Sequence, residues 1–441
     1  MAFEIIKRAR RSLRVARTGA RIYFGYKRTQ RSVKKLDEAA RAERWEQKHA
    51  QFAEDLYRLA VDLKGLYIKT GQFMGTRSDM VPPAYVASLS RLQDQVPARP
   101  VAIIRQTIEE ELEKPVEALF ATFDDLPLAA ASLAQVHRAT LADGREVCVK
   151  VQYPEVAGLV KLDVRNLRTI VGLVARRERN FDFRAVVNEI GTQVPLELDF
   201  VREAELTKRV KENLRDYPAI VVPGVVDEFT RRKVLVTEFL PGEKVIGEGG
   251  RAAALPDGPA AARAITEAFG HQIMVDGLFQ ADPHPGNLLA MPDGRIGLLD
   301  FGLTKELPQS SRLGFARLVV AAGDRNPQAV MAAFAELGLK TRGNANPEGV
   351  LALTQLFFDA RPERREMGGQ RRQALQASPI DAIPGDLVLL GRVVGLLRGV
   401  CKSLGATLTP MEMLRPYAER VLAEIEAETP AAVPAGEALP G

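Results

Sequence analysis

Two of the Asp-Gly pairs in this chain, Asp143-Gly144 and Asp293-Gly294, lie between two β-type runs and constrain its fold more than any other feature. Asp-Gly favours the tight turn of a β-hairpin, because glycine adopts a positive φ without steric cost. Most of the remaining chain has helical periodicity instead. We therefore expect two separate hairpins within a largely helical chain: residues 134–141 and 146–152 around Asp143-Gly144, and residues 288–290 and 295–299 around Asp293-Gly294.

Polar residues flank the second predicted hairpin on both sides. Asp282 lies five residues before Asn287, which directly precedes the first strand, and Asp300-Phe301-Gly302 follows the second strand. This order matches the catalytic loop of protein kinases, Asp-x-x-x-x-Asn, followed by Asp-Phe-Gly. In that chemistry Asn287 and Asp300 hold Mg²⁺ through oxygen atoms, and Asp282 orients or deprotonates the phosphoryl acceptor. A capped polar turn would explain Asp-Phe-Gly alone, but not the whole ordered set.

An upstream lysine fits the same interpretation. Lys150 lies within the apolar run 147–151, where burial of a lysine is costly unless anions pair with it. It matches the strand lysine that holds the α- and β-phosphates of ATP in kinases. Such a lysine needs a carboxylate from a helix, and spacing alone leaves Glu189, Glu203 and Glu205 open for that role.

The segment between the first two predicted strands departs from the kinase pattern. An ordinary kinase has a glycine-rich loop there, whereas this chain has alanines, which restrict positive φ and close approach of the backbone to phosphates. We therefore expect this loop to handle nucleotide differently. The predicted nucleotide contacts of this half are the loop residues Ala129, Ala130, Ala131, Ser132 and Ala134, the strand residue Lys150, and Glu238 in a hinge at residues 237–240.

Helical periodicity and composition divide the rest of the chain. Helices are predicted over residues 41–91 with an interruption at Pro82-Pro83, over 101–112, in a long stretch ending near 216, and over 308–426, with a buried strand at 234–239. We predict five segments: a basic amphipathic arm (1–35), a helical extension (36–125), a strand-bearing lobe (126–240), a helical lobe (241–427) and a flexible tail (428–441).

Charge is unevenly distributed between the arm and the body of the chain. Residues 1–35 contain twelve Lys or Arg residues and one acid, Glu4, a net charge of +11, whereas the rest carries 49 basic and 55 acidic residues, a net charge of −6. A basic helix with an apolar stripe is typical of a membrane-surface helix, and a solvated terminus is an equally open alternative. Nucleic acid is an unlikely partner, because no recognisable binding module follows. The apolar stripe of the basic helix comprises Phe3, Ile6, Ala9, Leu13, Ala16 and Ala20.

The cysteine pattern indicates that the chain is found in a reducing compartment. The hydropathy pattern indicates that it has no membrane-spanning segment. Cys148 and Cys401 lie far apart and form no Cys-x-x-Cys pair, so we expect neither a disulfide framework nor a zinc site. The longest apolar run, 387–400, is broken by Arg392 and Arg398. Basic residues recur throughout the arm, where a secretory signal needs an apolar stretch. We expect a chain that neither spans a membrane by itself nor is exported.

Three histidines raise the question of a transition-metal site. His137, His271 and His284 could contribute ligands, but no two of them lie at a helical metal spacing such as i, i+4. We therefore favour structural roles for them.

Six short motifs follow one another along the chain. They are Lys69-Thr-Gly-Gln72, the alanine-rich loop 129–134 with Gln135-Val-His137, Val149-Lys150-Val-Gln-Tyr-Pro154, Glu197-Leu-Asp199, Asp282-Pro-His-Pro-Gly-Asn287 and Asp300-Phe-Gly302. Together they resemble the UbiB/ADCK group of atypical protein-kinase-like proteins, which is linked to ubiquinone biosynthesis and lipid homeostasis. The resemblance covers roughly residues 56–307. Each motif alone is weak, but six in the order of the family are highly specific.

The resemblance implies further roles for conserved motifs of that family. There, a helix bearing Lys-x-Gly-Gln packs over the site where a protein substrate would lie, which assigns Lys69 and Gln72 to closure of the pocket. Its lysine pairs with the glutamate of Glu-x-Asp, here Glu197, and Glu203 then matches the partner of Lys150. On one continuous helix, six residues would place Glu197 and Glu203 about 120° apart, so that they could face two different lysines.

These observations together predict an α+β, bilobal protein-kinase-like fold with an N-terminal helical extension and a helix-rich C-terminal lobe. The resemblance implies weak or absent protein-kinase activity and ATP hydrolysis stimulated by lipid. We predict a Mg²⁺- and ATP-dependent ATPase, or a lipid or small-molecule kinase, that supports isoprenoid-quinone biosynthesis. The rival hypotheses are a non-enzymatic nucleotide-binding scaffold and a small-molecule phosphotransferase on the same fold.

The predicted partners follow from the arm and from the resemblance. We expect anionic membrane lipids to bind residues 1–35, and quinone-biosynthesis enzymes or an isoprenoid lipid to be further partners. The predicted location is cytoplasmic, peripheral at the inner membrane surface, with membrane contact assigned to the arm because no apolar span is found in the sequence.

Overall fold

The chain forms two compact units in the computed structural model. The first comprises Met1–Ala204 and Val225–Phe239, and the second comprises Glu205–Gly224 and Leu240–Gly441. The structure describes residues 2–75, 82–93, 98–177, 184–247, 251–253, 255–341, 380–382, 384–407 and 409–428. The predicted flexible tail lies outside the described residues from Thr429 onward.

An antiparallel sheet forms the centre of the first unit, in the order β1-β3-β4-β6, with β2 also pairing with β3. The hairpin predicted at Asp143-Gly144 is confirmed: Gly144 has a φ of +86°, and the Asp143 carboxylate accepts a hydrogen bond from the Arg145 backbone N–H. The strands are β1 (Thr122–Phe123), β2 (Ala129–Ala130), β3 (Ala134–Thr140), β4 (Glu146–Gln152) and β6 (Val234–Glu238).

Side chains along β4 alternate between the apolar core of this unit and the opposite face of the sheet, where Lys150 lies. Val147, Val149 and Val151 are buried, whereas Lys150 points to the opposite face of the sheet, because successive side chains of a strand alternate. The buried face packs in one cluster with Ile104 of the helix α5 and with further helices. These helices are α5 (Val101–Leu112), α6 (Val116–Leu119), α7 (Val156–Arg177) and α8 (Arg184–Glu197).

The basic N-terminal segment is a long helix that packs into the first unit. Helix α1 (Ala2–Ser32) buries Val15 in a cluster with Tyr67 and Leu89, and Gly25 approaches the ring of Phe52 so closely that a Cβ atom there would lie 2.9 Å from it. The alternative of a solvated terminus is therefore wrong. The helices beside it are α2 (Glu38–Leu63), α3 (Leu66–Gly75) and α4 (Pro83–Leu89).

One arginine of α1 joins three helices. The Arg11 guanidinium donates to both carboxylate oxygens of Asp163 in α7, at 2.7 and 2.5 Å, and to the Leu63 carbonyl at the end of α2. It also lies over the ring of Tyr67 in α3, 5.2 Å from the centroid. Burial raises the pKa of Asp163, and the Arg11 guanidinium opposes that shift. Removal of either partner would leave an uncompensated charge within this unit.

The long helical stretch predicted to end near residue 216 is divided. Helix α8 ends at Glu197, and α9 (Phe200–Asn213) begins after Asp199, whose carboxylate accepts a hydrogen bond from the Arg202 N–H as an N-cap. Pro195 lies inside the last turn of α8 and has no N–H to continue the hydrogen-bond ladder. The 120° argument is therefore wrong, because Glu197 and Glu203 lie on separate helices.

The second unit contains a mixed sheet in the order β5-β10-β9-β7. The hairpin predicted at Asp293-Gly294 is confirmed, with a φ of +84° at Gly294 and a hydrogen bond from the Arg295 N–H to the Asp293 carboxylate. Strands β8 and β11 form a separate antiparallel pair. The strands are β5 (Ile220–Val221), β7 (Glu243–Lys244), β8 (Leu278–Gln280), β9 (Leu288–Ala290), β10 (Ile296–Leu298) and β11 (Thr304–Glu306).

Helices build most of the core of the second unit. Phe269, Phe279 and Phe315 are fully buried in its largest apolar cluster. The helix predicted over 308–426 is interrupted, because β12 (Lys340–Thr341) pairs with β13 (Ile380–Ala382) and residues 342–379 lie outside the description. The helices are α10 (Gly258–Gly270), followed by a π-helix (His271–Asp276), α11 (Gln309–Gly323), α12 (Pro327–Glu336), α13 (Gly385–Ser403) and α14 (Pro410–Glu428). Across the described ranges, every helix is too short or too polar to cross a membrane.

Candidate active site

The end of the β9–β10 hairpin brings two predicted metal ligands together. Leu288 pairs with Leu298, and the Leu299 N–H donates to the Asn287 carbonyl at 2.9 Å. Asn287 therefore precedes one strand, and Asp300 follows the other, at the same end of the hairpin. This placement confirms the geometry predicted from the sequence.

The loop before β9 is held by its own polar groups. The Asn287 side-chain Nδ2 donates to the Asp282 carbonyl at 3.1 Å, which leaves Oδ1 of that amide as the atom for a cation. His284 Nδ1 accepts a hydrogen bond from the Gly286 N–H at 3.2 Å, and the His284 carbonyl accepts one from the Asn287 N–H at 2.8 Å. His284 therefore shapes this loop, in agreement with a structural role.

Asp300 lies at the surface of the second unit, while the next residue anchors the loop. Oδ1 of its exposed carboxylate accepts a hydrogen bond from the Gly302 N–H at 3.0 Å, and Phe301 is buried. Carboxylate and amide oxygens are hard ligands, and Mg²⁺ is usually held by one or two such protein groups together with water and phosphate. The pair of Asn287 and Asp300 fits that donor set.

An arginine that sequence reasoning did not assign to the site contacts Asp282. Arg392 of α13 donates from Nη2 to Asp282 Oδ1 at 2.8 Å, and both side chains are about three-quarters buried. The signal in the sequence was a charged residue within the apolar run 387–400, which is costly to bury without a partner. The partner lies 110 residues earlier in the chain.

Two glutamines were also missed, although each interrupts an apolar run. Gln280, at the end of β8, and Gln272, in the π-helix, are both fully buried. Gln280 contacts the backbone of Asp300. Because most buried polar groups are hydrogen-bonded, a glutamine within an apolar run predicts a partner for its amide.

The predicted partner of the strand lysine is found in the first unit. Lys150 Nζ lies 2.7 Å from Glu203 Oε1, and Glu203 is almost fully buried. The ammonium group also lies 5.2 Å from the centroid of the Phe200 ring, a cation–π distance. Of the two other glutamates left open, Glu205 is exposed and pairs with Lys208, and the side chain of Glu189 lies outside the description.

The second predicted ion pair is also confirmed. Lys69 of α3 lies 2.7 Å from Glu197, the last residue of α8. A carboxylate at a helix C-terminus is unfavourable beside the helix dipole, and the ammonium group offsets that cost. Gln72 lies on α3, but its side chain is outside the described set. Glu238 is the exposed last residue of β6, opposite Val147.

The alanine-rich segment folds as part of the sheet rather than as an open loop. Ala129 and Ala130 form β2 against β3, and the Ala131 N–H donates to the Ala134 carbonyl at 2.8 Å to close a tight turn. Ser132 lies within this turn and is buried. The Ala131 N–H is therefore engaged within the segment itself, and the different handling of nucleotide stays a prediction.

His137 has a structural role within β3. Its Nδ1 lies 2.7 Å from the Asp124 carbonyl, and its Nε2 lies 2.9 Å from Nε2 of Gln135. Because the carbonyl only accepts, Nδ1 carries the hydrogen and Nε2 accepts from the amide. Burial lowers the pKa of His137. Within the described ranges, no group of three or more His, Cys, Asp or Glu side chains could hold a metal ion.

Sequence comparisons place these features among known proteins. A family model described as the ABC1 atypical kinase-like domain matches residues 91–334, more than half of the chain. AarF domain-containing protein kinase 1 of Gallus gallus is 36% identical over 280 residues, 62% of this chain and 54% of that protein. Its namesake in Xenopus tropicalis is 32% identical over 377 residues, 81% of this chain and 72% of that protein.

A plant relative and a solved structure extend the comparison. Protein ACTIVITY OF BC1 COMPLEX KINASE 8, chloroplastic, of Arabidopsis thaliana is 31% identical over 398 residues, 81% of this chain and 52% of that protein. The chain thus spans about half to three-quarters of the length of these relatives. The structure of a complex of Rv3197 with erythromycin, from Mycobacterium tuberculosis, has a TM-score of 0.58 at 24% identity, covering 87% of this chain and 98% of that one. That likeness supports the kinase-like α+β fold alone.

Proposed function

Because this chain belongs to the ABC1 atypical kinase-like family, the UbiB/ADCK group that its motifs resemble, we propose that it binds Mg²⁺ and ATP and cleaves the terminal phosphoryl group of ATP. The observation that carries this proposal is the end of the β9–β10 hairpin, where Asn287 and Asp300 lie together beside the loop of Asp282. Water, a lipid or a small molecule would accept the phosphoryl group.

Asn287 and Asp300 are the proposed metal ligands of this chain. Their oxygen atoms suit Mg²⁺, and Asp300 is accessible from solvent. When bound, Mg²⁺ neutralises negative charge on the phosphates and so favours phosphoryl transfer. The hydrogen bond from Asn287 Nδ2 to the Asp282 carbonyl engages the amide nitrogen, so that the amide oxygen would be the ligand.

Asp282 is the proposed residue that orients or deprotonates the acceptor. Its carboxylate is held through Oδ1 by Arg392, which limits its rotation and leaves Oδ2 as the second acceptor atom. An oriented carboxylate positions a water molecule or hydroxyl group for in-line attack, and positioning supplies much of the catalysis in phosphoryl transfer.

The first unit supplies the proposed nucleotide contacts. Lys150 would orient the phosphates, and Glu203 would hold its ammonium group in place through the 2.7 Å ion pair. Lys69, Gln72 and Glu197 would close the pocket. The remaining proposed contacts are the alanine-rich residues Ala129, Ala130, Ala131, Ser132 and Ala134, and the hinge residue Glu238.

We further propose that the chain acts at an anionic membrane surface in support of isoprenoid-quinone biosynthesis. Family membership supports the pathway, and helix α1 supports the surface. Ile6, Leu13 and Phe24 are 51%, 57% and 68% exposed, and steps of seven and eleven residues place them within about 20° of each other around the helix. Exposed arginines on the same side complement anionic headgroups. They are Arg10, Arg17, Arg28 and Arg31.

Substitution of the strand lysine tests the proposed function. Lys150→Met should lower kcat/KM for ATP hydrolysis by about a hundredfold, because the phosphates lose a positioned cation. Lys161→Met is the matched control, since Lys161 is an exposed lysine of α7 in the same unit. The measurement is release of inorganic phosphate from ATP and Mg²⁺.

The two variants also distinguish the enzyme from a scaffold. Loss of turnover in Lys150→Met, with wild-type turnover in Lys161→Met, supports phosphoryl chemistry at this site. A wild-type protein that binds ATP without releasing phosphate would favour the nucleotide-binding scaffold. Equal turnover in all three proteins would overturn the assignment of Lys150.

A further inference from the structure

We propose that Gln280 is a positioning residue for the metal site, which ties the loop of Asp282 and Asn287 to the backbone of Asp300. This inference rests on the proposed function of the same hairpin end. It assigns to a buried amide the task of holding a ligand in place, a task that neither the motifs nor the family match gives to this residue.

The contacts of Gln280 point directly at Asp300. Its side chain is fully buried, and Nε2 donates to the Asp300 carbonyl at 2.6 Å. Two further bonds bracket the same residue, from the Leu299 N–H to the Asn287 carbonyl at 2.9 Å and from the Gly302 N–H to Asp300 Oδ1 at 3.0 Å. The bond from Gln280 connects Asp300 to β8, the strand that leads into Asp282.

A second buried glutamine holds β8 from the other side. The Gln280 backbone N–H donates to Gln272 Oε1 at 3.1 Å, and Gln272 Nε2 donates to the Ala268 carbonyl at 3.3 Å. Gln272 lies in the π-helix His271–Asp276, and π-helical turns are frequent at functional sites. Gln272 therefore links α10 to the backbone of Gln280, and the Gln280 side chain in turn bonds Asp300.

The orientation of the Gln280 amide is determined by chemistry. The Asp300 carbonyl can only accept a hydrogen bond, so the amide nitrogen must face it. Oε1 is then buried without a hydrogen-bond partner in the part of the chain that the structure describes. An apolar side chain of the same length would avoid that unpaired oxygen, but it would also remove the donor to the Asp300 carbonyl. The bond to Asp300 gives the amide a positioning role.

The test compares two substitutions of fully buried side chains that each delete a hydrogen bond to a backbone carbonyl at nearly constant volume. Gln280→Met removes the donor to Asp300 together with the unpaired oxygen. Thr266→Val is the matched control, since Thr266 is fully buried in α10 and its hydroxyl donates to the Ala262 carbonyl. Binding of Mn²⁺ in the presence of ADP, followed by electron paramagnetic resonance, reports the metal site without turnover.

Gln280→Met should weaken Mn²⁺ binding about tenfold and raise the Mg²⁺ concentration for half-maximal ATP hydrolysis by a similar factor, as substitutions behind metal ligands commonly do. Its melting temperature should stay near that of the wild type, while Thr266→Val should bind metal normally.

Two results would overturn the inference. One is unchanged Mn²⁺ affinity in Gln280→Met, and the other is an equal loss of affinity in Thr266→Val, which would indicate a general effect on the fold. If the wild type binds Mn²⁺ but releases no phosphate from ATP, the proposed function fails and the binding data still decide the role of Gln280. A wild type that binds no Mn²⁺ overturns both.

Discussion

His137 shows how a single buried side chain is fixed in one protonation state. Nδ1 donates to the Asp124 carbonyl, and Nε2 accepts from Gln135, so both ring nitrogens are occupied in the neutral form. A proton on Nε2 would place two N–H donors against each other. Burial also lowers the pKa of His137, because the charged ring is poorly solvated there.

This depressed pKa predicts a pH dependence of stability. The unfolded chain binds a proton near pH 6.5, whereas folded His137 binds it only at lower pH, so the contribution is present above about pH 6.5 and is lost as the pH falls. The free energy of unfolding should decrease by up to about 1.4 kcal/mol per pH unit in that window. Urea unfolding at several pH values would measure it.

His137→Leu provides the comparison for this prediction. The variant should be less stable at neutral pH, because it leaves Gln135 and the Asp124 carbonyl without their partner. Its unfolding free energy should nevertheless fall less steeply below pH 6.5 than that of the wild type. Parallel pH profiles for the two proteins would show that His137 does not titrate on unfolding.

Single residues of the site were predictable from the sequence, but their partners were only partly so. A lysine in an apolar strand signals an ion pair, yet spacing could not choose among three glutamates, and the pair joins residues 53 apart. Arg392 and Gln280 carried the same signal, polar groups within apolar runs, but only the folded backbone brings them to Asp282 and Asp300. The cost of burying a polar group indicates that the group has a partner, but it does not identify the partner residue.

Among the elements, α1 has two faces with different tasks. Its inward face carries Arg11 and Val15, which attach it to the first unit, and its outward face exposes Ile6, Leu13 and Phe24. The described side chains of the apolar stripe, from Ile6 to Ala20, are exposed and therefore point away from the unit rather than into it. Removal of the whole segment would disrupt the fold, so substitution of the outward face is the cleaner test of membrane contact.

Charged substitutions on that face should weaken binding to anionic membranes. Leu13→Glu combined with Phe24→Glu removes two exposed apolar side chains and adds two negative charges, and should lower vesicle affinity by at least about tenfold. The measurement is co-sedimentation with vesicles of phosphatidylcholine containing phosphatidylglycerol. A parallel measurement with vesicles of pure phosphatidylcholine separates the electrostatic contribution to vesicle affinity from the apolar one.

Leu126→Glu is the control for this prediction, because Leu126 is 83% exposed and lies outside α1. It should bind vesicles as the wild type does. Equal binding by the wild type and the double variant would exclude the outward face of α1 as the membrane contact, and equal loss in Leu126→Glu would indicate a general effect of charge.

Elements with turn chemistry of their own were predicted best. Both Asp-Gly hairpins and α5 have the expected positions, because glycine with positive φ and an apolar period act locally. The division between α8 and α9 was not predicted. The helical period of apolar residues continues across it, although Pro195 in the last turn of α8 and the N-cap Asp199 are local signals of a break. The β12–β13 pair joins residues far apart in sequence, which no local pattern reveals.

At the scale of the whole molecule, the proposed chemistry is divided between the two units. The first holds Lys150 against Glu203, and the second holds Asn287 and Asp300 at one hairpin end. Composition and periodicity predict only a mixed chain of helices and hairpins. The order of six motifs identifies the family, because their combined spacing is far more specific than any single element.

The central claim is that Asp300 binds Mg²⁺ for cleavage of ATP, and its most direct test is phosphate release by Asp300→Asn. Loss of the anionic ligand should lower turnover by at least about a hundredfold, because several kcal/mol of charge stabilisation depend on the metal. Asp293→Asn, an exposed aspartate in the turn of the same hairpin, should retain wild-type turnover. Asp300→Asn protein that releases phosphate as fast as the wild type would contradict the claim.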